Sequence, residues 1–299
     1  MTSTQREQNL MNTIEIIMSP AVSHLLEITA KTYSIDELEQ CFLDPASSQP
    51  DFTSEPAWHD FVDQVSNAWK TNHHIVIRNM PTDNGMSTLL AALSLPARFK
   101  TYRGQKIVKH FKMSPWTEEL SHTIKEGHFH TDINTAPIPP AATVIHCIKS
   151  DPDPKMGVSR VALLTDLINH LEEVGATETR KFLTETQVGM VDDRKHDAWS
   201  GLIVENDAIR FHPETLRAAA RRLNSQPENL EAHLTQIHES ALAVSEPIYL
   251  ASGDAIFVSN KRALHYRGAC TVKFTRFPRE FQAREIYVLH LQEEPQWSV

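Results

Sequence analysis

The sequence holds only three cysteines, Cys41, Cys147 and Cys270, with no CxxC pair among them. They offer no disulfide framework and read as buried thiols of a reducing compartment. No apolar run is long enough to span a bilayer. The opening MTSTQREQNLMNTIEIIM lacks the basic stretch and apolar core of a secretion signal, so the expectation is a cytoplasmic protein without a membrane partner. Positive charge is in deficit: 29 Lys and Arg against 38 Asp and Glu leave a formal charge of −9. That argues against nucleic acid as a partner, which calls for a basic face. Glycine is scarce as well, at nine residues, and there is no internal repeat or low-complexity segment. What is present is ordinary: 40% hydrophobic and 22% charged residues, the profile of a soluble globular enzyme or binding protein. A length of 299 residues admits one large domain or two small ones.

The first seventy-odd residues read as helices. SIDELEQCF starts with Ser34 as a cap and Glu37 three positions on, a capping box. SEPAWHDFVDQVSNAWK starts at Ser54 with an early Pro56 and lines Trp58, Phe61, Val62, Val65 and Trp69 on one face. DPASSQPDFTSEP between them is a polar loop. From residue 73 the texture changes to short runs rich in Val, Ile, Tyr and Phe: HHIVIRNM, GQKIVKHFKM, AATVIHCIK, SRVALLTD, EPIYLAS, DAIFVSN, CTVKFTR and REIYVLHL. Pro, Gly, Asp and Asn separate them, as they separate strands. Helices interrupt at DLINHLEEVG, TETRKFLTE and HPETLRAAARRLNSQPENLEAHLTQIHES. The strands lack strict βαβ alternation, which favours an antiparallel sandwich or barrel decorated with helices. A single domain over residues 1–299 is expected, with a helical cap over 1–72 and a strand-rich core with helical insertions over 73–299.

EGHFHTDINTAP, residues 126–137, concentrates metal-ligand types. On an extended strand, residues i and i+2 share a face, so His130 and Asp132 can reach one ion, and His128 points the same way. Two chemistries compete. A zinc hydrolase of the metallo-β-lactamase type would use HxHxD followed by another His, but Asp132 is followed by Ile133, and nine glycines do not make that fold's glycine-rich texture. A facial two-His, one-carboxylate iron site instead needs one distant His and leaves three positions open. His265 in ASGDAIFVSNKRALHYRG is the candidate.

Here the chain resembles the Fe(II)/2-oxoglutarate oxygenases of the taurine dioxygenase and clavaminate synthase group. GDAIFVSNKRALHYR looks like that group's Gly-Asp turn, apolar strand, asparagine, arginine and distal His followed by Arg. NHHIVIRNMP is similar to an early strand ending Arg-Gly-Leu-Pro, with Asn79 and Met80 in place of Gly and Leu. RGQKIVKHFKMSP resembles the strand before the metal loop. GVSRVALLTDL resembles the strand whose hydroxyl contacts 2-oxoglutarate, with Ser159 where the group has Thr. The likeness covers roughly residues 70–291, and the joint pattern is more specific than any one motif.

The resemblance implies a double-stranded β-helix, or jelly roll. It also implies Fe(II) on His130, Asp132 and His265, with 2-oxoglutarate and O2 as co-substrates. A buried carboxylate calls for a guanidinium fork. Arg284, at the start of REIYVLHL, fits the group's 2-oxoglutarate arginine, while Arg276 and Arg279 stand as alternatives. Arg210, in ENDAIRFHPET, lies where related amino-acid oxygenases place an arginine near the substrate; a surface role is the other reading. RAAARRLN reads as the wet face of a helix. Halogenases of the group carry Gly or Ala at the carboxylate position, so Asp132 implies hydroxylation, desaturation or a related oxidation of a small polar substrate such as a free amino acid. The competing readings are the zinc hydrolase and a cupin-like metal or ligand sensor without turnover.

Overall fold

The computed structural model describes residues 14–44, 50–193, 197–223 and 227–297. Most of the N-terminal stretch, much of DPASSQP and the NSQ of the long helical run lie outside them. In chain order the elements are β1 Glu15–Ile17, α1 Pro20–Thr32, α2 Ile35–Leu43, α3 Pro56–Asn72, β2 His74–Arg78, α4 Met86–Ala91, β3 Lys109–Lys112, β4 Ala142–Lys149 and β5 Ser159–Leu163. Then come α5 Leu164–Glu173, α6 Thr177–Thr184, β6 Gln187–Val191, β7 Ala198–Leu202, β8 Val204–Glu205, β9 Ala208–Ile209, α7 Pro213–Leu223 and α8 Leu230–Ala243. The chain closes with β10 Ala255–Ser259, β11 Ala263–Arg267, β12 Val272–Arg276, β13 Glu280–Ala283 and β14 Glu285–Leu291.

Local chemistry sets most helix starts. Ser34 and Glu37 form the expected capping box on α2. α3 starts later than the sequence suggests. Ser54 belongs to a 3-10 turn, and Glu55 caps the helix without a side-chain bond, because the fixed φ of Pro56 suits the first helical position. The face of α3 is as expected, with Trp58, Phe61, Val65 and Trp69 buried and Val62 packed at its edge.

β1 corrects the expectation of an all-helical N-terminus. It lies parallel to β2, pairing Glu15 to Ile17 with Val76 to Arg78. Three residues are too few to show a period of two, so the strand exists only because β2 offers it an edge. At the end of β2, Asn79 takes the left-handed conformation with φ 64°, which asparagine tolerates better than most residues. The backbone here thus accounts for Asn in a slot where glycine would serve.

The main sheet has six strands in the order β1-β2-β10-β4-β14-β3. Alternate residues feed two cores. Ile75, Ile77, Val144, Phe257 and Leu289 pack with the N-terminal helices. Val76, Ile256, Val258 and Cys147 pack instead with Val161, Leu163 and Ala263 of the antiparallel pair β5–β11. Outside that pair, Ala162, Leu164, Leu264 and Tyr266 meet apolar residues of α5–α8. The molecule is therefore a mixed assembly of helix and sheet, with two strand layers between helical layers.

Two further expectations need correction. EPIYLAS forms no strand; Ile248 makes one bridge with Ser159 before the chain turns through Gly253 into β10. Gly253 has φ 91°, and a Cβ there would lie 2.7 Å from the Met80 carbonyl, so that turn needs glycine. The hairpins β6–β7 and β8–β9 were not anticipated, and the long helical run divides into α7 and α8. Cys147 and Cys270 are buried, but Cys41 is partly exposed, and all three are free. Among the described residues no helix is long and apolar enough to cross a membrane.

Candidate metal centre

His130 and His265 meet through their backbones. Each N–H donates to the other's carbonyl, at 3.0 and 3.1 Å, which ties the 128–132 segment to the edge of β11. The chain then turns instead of continuing as a strand: Asp132 lies in a turn, followed by Ile133 at φ 53°. The i, i+2 strand argument therefore does not describe this segment, although the turn still brings the His130 and Asp132 side chains together. Asn260, 1% exposed, holds the turn. Its amide accepts from the Asp132 N–H at 2.6 Å and donates to the carbonyls of Asp132 and Pro140 at 3.0 and 2.9 Å.

The result is a cluster of ligand atoms. One atom each from His130, Asp132 and His265 lies within 4.8 Å of the others. His130 Nε2 is 3.6 Å from Asp132 Oδ1, and His265 Nε2 is 3.5 Å from Asp132 Oδ2. His130 Nδ1 donates to the His128 carbonyl at 2.7 Å, which leaves the Nε2 lone pair facing the cluster. Burial opposes charge on Asp132, but His265, His130 and His290 outweigh it and hold the carboxyl well below the usual range. Burial lowers the His265 imidazole, whereas on His130 it is overcome by Asp132 and the group is raised. Two imidazoles and one ionised carboxylate of this kind form the donor set of a non-haem iron site. His128 does not join it: its Nε2 lies 3.3 Å from Glu214 Oε1. That arrangement removes a ligand the hydrolase reading needs.

A second feature lies beyond β5. Arg284, just before β14, is 2% exposed. Its guanidinium donates to the Gly157 carbonyl at 2.8 Å and to Ser159 Oγ at 3.2 Å. Among the described residues no carboxylate lies within ion-pair reach of it. Asp151, across Gly157, instead accepts from the N–H groups of Asp153 and Thr271 and from the Thr271 hydroxyl. The Cys147 thiol also lies beside Arg284, so the partners of this buried guanidinium among the described residues are neutral, a setting that favours an added anion. Arg276 and Arg279 are exposed on the β12–β13 hairpin, Arg276 only 4.0 Å from Glu280. Arg210 is half-buried, stacked 4.3 Å from the centre of the Trp199 ring, and donates to the carbonyls of Asn134, Ala136 and Pro137. It fastens the loop that follows the metal turn.

Several residues at the site were not singled out in the sequence. Thr143 Oγ1 and His290 Nε2 reach Asp132 Oδ2 at 2.9 and 3.0 Å, and the Tyr102 hydroxyl bonds His290 Nδ1. Burial and the charge of Asp132 raise the Tyr102 phenol well above its usual range, so it stays protonated. His212 lies 5.0 Å, ring to ring, from His130, and burial together with the neighbouring histidines keeps it neutral. Gly157 leaves space for the Arg284 stem, since a Cβ there would meet Arg284 Cδ at 3.3 Å. Nothing local in the sequence marks these positions, because they gather from separate elements.

The model of the family described as taurine catabolism dioxygenase TauD, TfdA family matches residues 43–276. No curated protein sequence matches the chain. Among solved structures, an asparagine oxygenase in complex with Fe(II), 2S,3S-3-hydroxyasparagine and succinate is similar with a TM-score of 0.60 at 14% identity, covering 93% of each chain. The non-heme iron oxygenase OrfP in complex with Fe and alpha-ketoglutaric acid is similar with a TM-score of 0.63 at 16% identity, covering 94% of each chain. The PvcB protein from Pseudomonas aeruginosa has a TM-score of 0.56 at 14% identity, over 77% of this chain and 79% of that one.

Proposed function

The chain belongs to the TauD, TfdA dioxygenase family, and from that premise we propose that it hydroxylates a free amino acid or a close derivative at an iron site formed by His130, Asp132 and His265. It is a 2-oxoglutarate-dependent dioxygenase that uses Fe(II) and O2. The observation that carries the site assignment is the combination of a His-Asp-His cluster with a buried guanidinium that lacks an acid partner. The double-stranded β-helix belongs to this reading, with the six-stranded sheet and β5–β11 as its two strand layers.

When bound, the metal and 2-oxoglutarate supply the oxidation, with succinate and CO2 released as substrate C–H is oxidised. The chain's own residues prepare for it. His130 is held by the His128 carbonyl with Nε2 free to bind, and Asp132 stays ionised and contributes negative charge. Arg284 would pair with the far carboxylate of 2-oxoglutarate, and Ser159, whose Oγ accepts from the guanidinium, would keep its own O–H to donate to it. Asn260 fixes the turn that aims Asp132. With Asp132 in the ligand set a halide would find no place on the metal, so the product would be hydroxylated or desaturated.

An amino-acid substrate is supported by two solved neighbours that span most of this chain and were captured with 3-hydroxyasparagine and (3S)-hydroxy-L-Arg. The test is succinate release from 2-oxoglutarate under 18O2 across a panel of free amino acids, with product mass read in parallel. The proposal expects one amino acid to stimulate succinate release and to gain one labelled oxygen. Stimulation by none of them, with activity on a substrate lacking an amino-acid group, would overturn the substrate class.

A further inference from the structure

The two oxygens of Asp132 are treated differently by the fold. Oδ2 accepts from Thr143 Oγ1 at 2.9 Å and from His290 Nε2 at 3.0 Å. Oδ1 faces His130 Nε2 at 3.6 Å and has no such donor, while His265 Nε2 stands 3.5 Å from Oδ2, too far to donate to it. Two donors occupy the two lone-pair directions of Oδ2 and leave Oδ1 as the open acceptor. The donors are rigid. Thr143 and His290 are directly opposed partners on the neighbouring strands β4 and β14, and both are buried. Sheet register, and not a mobile loop, therefore sets where they point.

The other ring nitrogen of His290 fixes its proton. Nδ1 is bonded to the Tyr102 hydroxyl. With that hydroxyl donating, Nδ1 accepts, the ring proton sits on Nε2, and Nε2 donates to Asp132. Tyr102 is itself held. Its ring stands edge-on to His290 with centroids 5.8 Å apart, the Lys109 ammonium lies 3.3 Å from its ring centre, and Lys100 N–H bonds the His290 carbonyl at 2.8 Å.

Building on the iron site proposed above, we infer that His290, seconded by Tyr102 and Thr143, is a positioning residue that keeps Asp132 a one-oxygen ligand through Oδ1. The consequence concerns open coordination. Two imidazoles and one carboxylate oxygen would hold the metal and leave the rest of its coordination for 2-oxoglutarate and O2. A carboxylate free to rotate would present both oxygens and take up part of that coordination. His290 thus guards access to the metal without touching it.

The experiment compares the full-length protein with His290→Leu, His290→Gln, Tyr102→Phe and Thr143→Val. Anaerobic Fe(II) titration gives affinity, Mn(II) water-proton relaxivity reports inner-sphere water, and thermal melts verify folding. Loss of the His290 donor is expected to weaken Fe(II) binding roughly 10–100-fold in His290→Leu. Its Mn(II) relaxivity is expected to fall as the second carboxylate oxygen displaces a water. His290→Gln, which restores an N–H donor, should recover part of both readouts. Tyr102→Phe and Thr143→Val should shift them less, in the same direction, and they carry the test should His290→Leu not fold. Parent-like affinity and relaxivity in His290→Leu, or a Gln variant no better than Leu, would overturn the inference while leaving the iron site standing. Complete loss of metal in every His290 variant would make His290 a ligand and overturn it too. A parent protein that takes up no Fe(II) would remove the site reading itself, and this inference with it.

Discussion

Replacing Arg284 with methionine removes a buried guanidinium while keeping much of its volume. Among the described residues the guanidinium's partners are neutral: it donates to the Gly157 carbonyl and Ser159 Oγ and lies beside the Cys147 thiol. The carboxylate of 2-oxoglutarate would complete it as a desolvated, charge-assisted pair. Truncating one member of such a pair costs about 2–5 kcal/mol, which corresponds to a dissociation constant raised roughly 30- to 5,000-fold. The effect on the ligand-free protein should run the other way. Breaking a structural buried ion pair costs about 3–5 kcal/mol, whereas replacing a buried charge by an apolar side chain of similar size is often neutral or stabilising. Arg284→Met should therefore melt at or above the parent's temperature while losing 2-oxoglutarate. Anaerobic calorimetric titration into the metal-loaded protein reads the first quantity, and thermal melts of the metal-free protein read the second. Parent-like 2-oxoglutarate affinity in Arg284→Met, or its loss in Arg276→Ala or Arg279→Ala, would refute the assignment. A melting temperature several degrees lower would show that the guanidinium is structural.

Ser159→Ala removes one hydrogen bond, so 2-oxoglutarate affinity in the same titration should fall by about 1 kcal/mol, roughly fivefold. Asp132→Gly opens the third ligand position without a shell arranged for chloride, so it should abolish turnover and yield no halogenated product by mass spectrometry in excess chloride or bromide. His146, fully buried with Nδ1 2.8 Å from Thr88 Oγ1, is pushed down to about 4 by burial. Below its unfolded value of 6.5 the unfolded chain binds a proton that the native state refuses, so stability falls as pH drops from 6.5 toward 4. At pH 5 the loss is about 2 kcal/mol. Denaturant melts of His146→Gln should lack that component relative to the parent, and an unchanged pH slope would contradict it.

Signals carried by consecutive residues were legible in the sequence. The Ser34–Glu37 box, the apolar face of α3 and the runs that became β2, β4, β10 and β14 all depend on local spacing. His130 and Asp132 stood out by their i, i+2 spacing and His265 by its place after the Gly253-Asp254 turn, and the fold brings the three together. Only the resemblance favoured Arg284 over Arg276 and Arg279, by its place at the start of REIYVLHL; the burial that sets it apart from the other two is not written in the residues around it. Ser54 looked like a cap because proline's preference for the first helical turn does not say which preceding residue is the cap. β1 and the failed strand at EPIYLAS depend on whether a neighbour offers an edge. Tyr102, Thr143 and His290 were out of reach for the same reason: a shared hydrogen-bond network joins three distant segments.

Anaerobic Fe(II) binding stoichiometry of the parent and three alanine variants tests the central claim most directly. The account predicts one iron per parent chain, no stoichiometric binding in His130→Ala or His265→Ala, and binding largely intact in His128→Ala. Loss of iron in His128→Ala together with retention in His265→Ala would contradict it and return the chain to a hydrolase-type use of its HFHTD segment.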